Sequence, residues 1–279
     1  IVGFRLPDNV DVVSLRRPTA PLPNDMRVAN FVLRSVNSRW INASSLGWNL
    51  LEFAAGGALS VLHRNAVRVR AARSVSFSPI DLDPRRSALL IGYFQTSRHH
   101  HVNSIESQMR QLRPAKRPEW LKRLSDLAGT VQPVMVHVRL GDYSLDPRFG
   151  NLTPTYFERS IRQVRERVQA GPVWLFSDEP KKALRMVPDA ERKRVKVIVP
   201  PESESHPVNS LELMRYGSAY VLSNSTFGWW GAQLSYTSAP TVCMPVPWLP
   251  DQGARRTKEL ADAGWIGVSR QGDLVKIWD

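Results

Sequence analysis

The sequence predicts an α/β protein whose C-terminal half is a Rossmann-like domain built around a parallel sheet, and three observations predict it. Short runs of strand character recur at 134–140, 173–176, 195–199, 219–222 and 241–244. Stretches with helical periodicity separate them, and strands alternating with helices imply right-handed crossovers and a parallel sheet. Polar clusters directly follow three of the strands, at 137–142, 177–179 and 223–226, and in a parallel sheet such loops converge on one edge. The chain divides accordingly into residues 1–132 and residues 133–279, with the Rossmann-like pattern clearest from 133 to about 260.

Taken in order, residues 1–30 are broken by Pro7, Pro18, Pro21 and Pro23. Leu46, Leu50, Phe53 and Ala54 have helical spacing before Gly56 and Gly57 interrupt it. Weak alternation suggests a strand at 67–77, and 89–95 is a clearer one, rich in apolar and aromatic residues. Residues 103–128 read as helical with a break at Pro118, joined by a basic linker at 113–118. From Pro133 the pattern is regular. Pro133 opens the run at 134–140 and Gly141 closes it, with His137, Arg139 and Asp142 emerging at its C-terminal end. Thr153 caps a helix that has Pro154 at its first position and Phe157, Ile161, Val164 and Val168 as one apolar stripe, until Gly171 and Pro172 stop it. Further helices are expected at 180–186, 210–216 and 226–234.

The 279 residues carry 42% hydrophobic side chains, ample for a core. No apolar run is long enough to span a bilayer, and residues 1–30 lack a charged segment followed by a hydrophobic one, so the expectation is a soluble cytoplasmic chain. A start at Ile1 suggests that sequence precedes it. A lone Cys243 within an apolar run excludes an internal disulfide and fits a buried small hydrophobe. The net charge of +13 is concentrated before residue 137, where 19 basic residues face 9 acidic ones, against 19 and 16 afterwards. Such an excess suits nucleic acid, an anionic membrane surface or an acidic substrate; an arginine-rich composition accounts for it equally well. No known DNA- or RNA-binding motif accompanies it. His99, His100 and His101 are adjacent, so their side chains diverge, and no cysteine or acidic partner stands at ligand spacing.

Arginine offers a planar fork of donors that suits a phosphate oxygen, which makes Arg139 the first candidate for an anion-binding residue; pairing with Asp142 three residues on is the alternative. Ser223, Asn224, Ser225 and Thr226 place hydroxyls and free backbone amides at a helix start, where they serve either as a cap or as an anion site. Asp178, ahead of Pro180, reads as a helix cap or as a ligand contact. Neither a G-x-G-x-x-G run nor a Walker A motif is present.

In order and spacing, His137-Val138-Arg139-Leu140-Gly141-Asp142-Tyr143, Phe176-Ser177-Asp178 and Ser223-Asn224-Ser225-Thr226-Phe227-Gly228-Trp229-Trp230-Gly231-Ala232 resemble the motifs of the α-1,2-fucosyltransferase family. Leu90 to Gln95, Thr153 to Phe157, Leu213-Met214 and Pro245 to Trp248 are similar to further landmarks of that family, so the likeness covers roughly residues 89–250. It implies a two-domain GT-B-like fold and inverting transfer of L-fucose from GDP-β-L-fucose to the 2-hydroxyl of a galactose. No metal or other cofactor is implied. The resemblance assigns the donor to His137, Arg139, Asp178, Ser223, Asn224, Ser225, Thr226 and Phe227, and catalysis to Arg139 and Asp142. Asp146 is a further candidate base, and Trp229 and Trp230 read as packing behind the phosphate helix. The implied partners are GDP-fucose and a galactose-containing oligosaccharide or glycolipid of bacterial polysaccharide type, without nucleic acid; peripheral contact at the inner face of the membrane is compatible with them.

The sequence departs from the family in three places. Nothing in residues 1–60 matches a Gly-Gly-Leu-Gly-Asn-Gln type start, so the N-terminal domain reads as truncated or diverged. Leu140 fills a position that often holds a second arginine, and Ser210 one that often holds an aspartate thought to grip guanine. A non-catalytic homologue that binds a nucleotide sugar or polyanion is therefore the alternative reading.

Overall fold

Runs of β-branched and aromatic residues bounded by glycine, proline or polar breaks form nine strands among the residues that the computed structural model describes: 68–72, 88–92, 96, 110–114, 116–169, 171–250 and 257–277. The chain forms two compact units, Ile1–His99 and His100–Asp279. In the first, β1 (Arg68–Ala72) and β2 (Ala88–Gly92) pair in parallel with Arg68 opposite Ala88. Both fall in stretches that the sequence marks as strands. The expectations for residues 1–30 and 46–62, and the three adjacent histidines at 99–101, lie outside the described residues.

In the second unit α1 (Glu119–Val131) follows Pro118 and buries Trp120, Leu121 and Ala128 against α5 (Pro207–Met214). The next strand, β3 (Val134–Val138), is buried at all five positions, as expected of a central strand covered on both faces. Next come α2 (Pro154–Arg167), β4 (Val173–Ser177), the short α3 (Pro180–Ala183) and α4 (Asp189–Arg192), and β5 (Lys196–Val197). After α5 the chain continues through β6 (Ala219–Val221), α6 (Thr226–Gln233), β7 (Thr241–Pro245), β8 (Ile266–Val268) and β9 (Leu274–Val275). The seven strands lie in the order β5-β4-β3-β6-β7-β8-β9, every neighbouring pair parallel except the last. This is an α/β domain of the Rossmann-like kind.

Alternation along the strands sorts the core into two layers. Val134, Val136 and Val138 pack with Val173, Leu175, Val221 and Cys243 against Tyr156, Phe157, Ile161 and Val164 of α2. Thr153 accepts a hydrogen bond from the Tyr156 amide at 3.2 Å, the cap that its position before Pro154 predicts. The opposite face, with Met135, His137 and Tyr220, is covered by α5 and α6, where Trp229 and Trp230 are buried and meet edge to face at 4.8 Å. Trp229 Nε1 donates to the Leu260 carbonyl at 2.7 Å, so the double tryptophan is core, as the sequence suggests. Burial pushes the Cys243 thiol up to about 12, which leaves it inert as well as hidden.

Several boundaries differ from the sequence expectation for identifiable reasons. The strand expected at 195–199 shrinks to Lys196–Val197, because it is an edge strand with Pro200 and Pro201 directly after it. The helix expected at 210–216 begins at Pro207, after His206 Nδ1 accepts from the Val208 amide at 3.3 Å. Residues 266–268 and 274–275, unread as strands, extend the sheet through an antiparallel hairpin.

The end of α5 holds a buried ion pair that sequence reasoning missed. Arg215 Nη1 lies 2.8 Å from Glu212 Oε2, and both side chains are almost fully enclosed. Arg215 also donates to the carbonyls of Leu234, Leu112 and Arg110 at 2.9, 2.6 and 2.6 Å, while the Tyr236 hydroxyl donates to Glu212 Oε1 at 2.8 Å. One guanidinium thus ties the segment before α1 to the segments after α5 and α6.

Candidate functional site

From β3 the chain builds outward through β4 to β5, then returns to place β6 on the other side of β3. The crevice above β3 and β6 is therefore the topological switch point, where ligands bind in open α/β sheets. The two strongest sequence clusters, 137–142 and 223–226, flank it; Asp178, at the end of β4, stands beside the first. All the residues assigned to the donor from the sequence thus share one edge of the sheet.

His137 closes the floor. It is 4% exposed, its Nδ1 lies 2.9 Å from Ser223 Oγ, and its carbonyl accepts from the Ser223 amide at 3.0 Å. Its ring lies 5.3 Å from that of Phe227. Gly228 allows α6 to approach, since a Cβ there would come within 3.0 Å of His137 Nδ1. Burial first, and then the charge of Arg139, lower the His137 pKa from 6.5 to about 4, against a smaller opposing pull from Asp178. The ring is therefore neutral at physiological pH. Because the unfolded chain binds this proton and the folded one does not between those two values, stability falls as pH drops from 6.5 to about 4 and levels off below. At 1.36 kcal/mol per unit the loss is about 3 kcal/mol. Urea titrations across this range are expected to show that slope in the native protein and its flattening in His137→Gln; an unchanged slope in the variant would assign the pH dependence elsewhere.

Arg139 is held by two carboxylates. Its Nη2 lies 2.8 Å and its Nε 3.0 Å from Asp142 Oδ1, and its Nε lies 3.2 Å from Asp178 Oδ2. The pairing with Asp142 that the sequence allowed is present, while the Arg139 side chain remains about one-third exposed at 34%. Asp178 does not cap α3, whose N-cap is Glu179 with no side-chain cap bond; Ser177 Oγ instead accepts from the Glu179 amide at 3.0 Å. The Asp178 carboxylate turns back to accept from the Leu140 amide at 3.0 Å and to face Arg139, so it orders the loop after β3. Asp146 is clasped by Arg148 through backbone and side chain, which holds its carboxyl below the usual range and makes it a poor proton acceptor.

Across the crevice α6 starts at Thr226 with Ser225 as N-cap. The Ser225 side chain makes no cap bond, so the cap alternative does not describe it; Ser225 is 6% exposed. Asn224 Nδ2 donates to the Phe149 carbonyl at 2.7 Å. Tyr143 and Phe149 stack at 4.0 Å and 10°, with the Arg139 guanidinium 5.6 Å from the Tyr143 ring. Sequence reasoning singled out neither aromatic as a functional residue, although their six-residue spacing astride Asp146 was the available signal. The arrangement is a cradle with one guanidinium, held by two carboxylates, on one side and the N-terminal end of a helix, with its partial positive charge, on the other. Among the described residues no group of three or more His, Cys, Asp or Glu side chains is placed to hold a metal ion, and no helix is long and apolar enough to cross a membrane.

Comparison with known proteins agrees with this geometry. The chain is 31% identical over 133 residues to an alpha-1,2-colitosyltransferase of Escherichia coli, covering 46% of this chain and 44% of that protein. It is 28% identical over 137 residues to the O-antigen biosynthesis glycosyltransferase WbnK of Escherichia coli, covering 48% and 43%. The matched region spans under half the length of these curated relatives. The family model for glycosyl transferase family 11 matches residues 90–269, which include the cradle and six of the seven strands of the sheet, and the chain belongs to that family.

Proposed function

We propose that the protein is an inverting glycosyltransferase that moves L-fucose from GDP-β-L-fucose to the 2-hydroxyl of a galactose-type acceptor in a bacterial O-antigen or related saccharide. The observation that carries this reading is the placement of Arg139 and the α6 N-terminus directly after two adjacent parallel strands, β3 and β6, at the switch point of the sheet. Cleaving the sugar–phosphate bond develops charge on the leaving nucleotide, and fixed donors aimed at that charge lower the barrier. In this reading Arg139 grips the diphosphate through Nη1, the guanidinium nitrogen that pairs with neither Asp142 nor Asp178. Those two carboxylates hold the fork in one orientation, so Asp142 positions rather than accepts the acceptor's proton. Ser225, Thr226 and the free amides of α6 complete the cradle, and neutral His137 and Ser223 support it from below. In the same reading the described sheet corresponds to the C-terminal domain of a GT-B protein.

A donor screen tests the proposal. Incubated with a chelator and a panel of nucleotide sugars, the protein is expected to release nucleotide fastest from GDP-fucose, with transfer to a galactoside. Preference for a UDP-sugar, or strict dependence on added manganese or magnesium, would remove it. The name of the colitosyltransferase relative makes nucleotide-linked colitose the informative competitor.

A further inference from the structure

We infer that Asn224 and Arg270 are positioning residues that set the Arg139 guanidinium through a stacked aromatic pair, rather than residues that touch the donor. The inference rests on the donor-site reading above.

Asn224 sits beside Ser225 in the loop that opens α6, and its sequence context assigns it to the ligand. The structure gives it another task. It is 3% exposed, and its amide nitrogen is spent on the Phe149 carbonyl at 2.7 Å. Arg270, in the turn of the β8–β9 hairpin and one residue beyond the stretch that the family model covers, donates to that same carbonyl at 3.2 Å and to the Asn151 carbonyl at 3.3 Å. The Arg270 carbonyl in turn accepts from Thr153 Oγ1 at 2.8 Å, so both ends of residue 270 are tied to the loop between β3 and α2. Gly150 makes the approach possible: its φ is +61°, and a Cβ there would stand 3.1 Å from Arg270 Nη1.

These bonds fix the backbone at Phe149, and its ring carries the constraint onward. Phe149 stacks on Tyr143, and Tyr143 lies beside Arg139. The loop between β3 and α2 is otherwise short of apolar anchors at its tip, where Leu145 is 85% exposed. Asn224 and Arg270 anchor the far end of the aromatic pair from outside the loop, whereas the bond from the Phe149 amide to the Asp146 carbonyl, at 3.1 Å, is local to it. Asn224 also links the two walls of the cradle, because it belongs to the wall that begins α6 and bonds to the wall that carries Arg139.

A double-mutant cycle on GDP affinity, measured by calorimetric titration with thermal melts alongside, tests this. Arg139→Lys, Asn224→Ala and Arg270→Met are each expected to weaken GDP binding about tenfold, the loss of roughly one charge-assisted hydrogen bond. Residues acting through Arg139 are non-additive with it, so Arg139→Lys combined with either of the others is expected to bind GDP no more weakly than Arg139→Lys alone. Phe149→Leu keeps both backbone bonds and removes the stack; it is expected to reproduce the loss, which guards against a variant that fails to fold. Additive losses in the doubles, or an unchanged Phe149→Leu, overturn the positioning role while leaving the donor site intact. Unchanged GDP affinity in Arg139→Lys, or no binding of GDP by the native protein, overturns the donor-site reading and the inference with it.

Discussion

Arg139→Lys is expected to lower the transfer rate by about a hundredfold, the loss of about 3 kcal/mol that accompanies removal of one fixed donor from a developing anion. Lysine keeps the charge, but it replaces a planar fork held by two carboxylates with a mobile point charge. Asp142 and Asp178 can still pair with it, so the melting temperature should change little: partly exposed ion pairs contribute under about 1 kcal/mol. Side-by-side rate and melting measurements separate the readings. A lysine variant with near-normal turnover would reduce Arg139 to a surface ion-pair partner and sink the mechanism.

The second large effect concerns folding. Arg215→Met is expected to destabilise the protein by about 3–5 kcal/mol, because it leaves the Glu212 carboxylate buried without its counterion. It also strips donors from three backbone carbonyls, at Arg110, Leu112 and Leu234. Against a total stability of about 5–15 kcal/mol for an ordinary domain, that is about a fifth of the whole or more. Removing both charges in Glu212→Leu/Arg215→Met is expected to recover part of the loss, since the isolated carboxylate is gone while the orphaned carbonyls remain. Urea unfolding of the two variants supplies the comparison. Equal destabilisation in the single and double variants would mean that the carbonyls, not the charges, dominate.

What could be read from the sequence follows how local each determinant is. Thr153-Pro154 declares a helix start within four residues, and β3 declares itself by an unbroken apolar run between Pro133 and Gly141. Both appear where the sequence puts them. The convergence of the polar clusters on one edge was also legible, since each directly follows a strand. The cap reading of Asp178 failed because an aspartate two residues before a proline is an ordinary cap, and only the placement of β4 next to β3 brings its carboxylate to the Leu140 amide. Arg270 and the burial of the Glu212–Arg215 pair could not be read. The backbone partners of the two arginines at Phe149, Leu112 and Arg110 are carbonyls more than a hundred residues away in sequence, and a carbonyl has the same chemistry in every residue. The β8–β9 hairpin escaped for a different reason: strands of three and two residues are too short to show alternation.

The two walls of the cradle come from strands that touch in space but whose facing residues, His137 and Ser223, are 86 positions apart in the chain. Everything that intervenes, from α2 through β4 and β5 to α5, must be laid down before β6 can pair with β3. A ribosome that has released the Arg139 wall has therefore made no site yet, and a chain cut anywhere between β4 and β6 keeps the guanidinium with no helix to oppose it. In the proposed reading nucleotide binding needs both walls, so a fragment that ends short of α6 is expected to bind none.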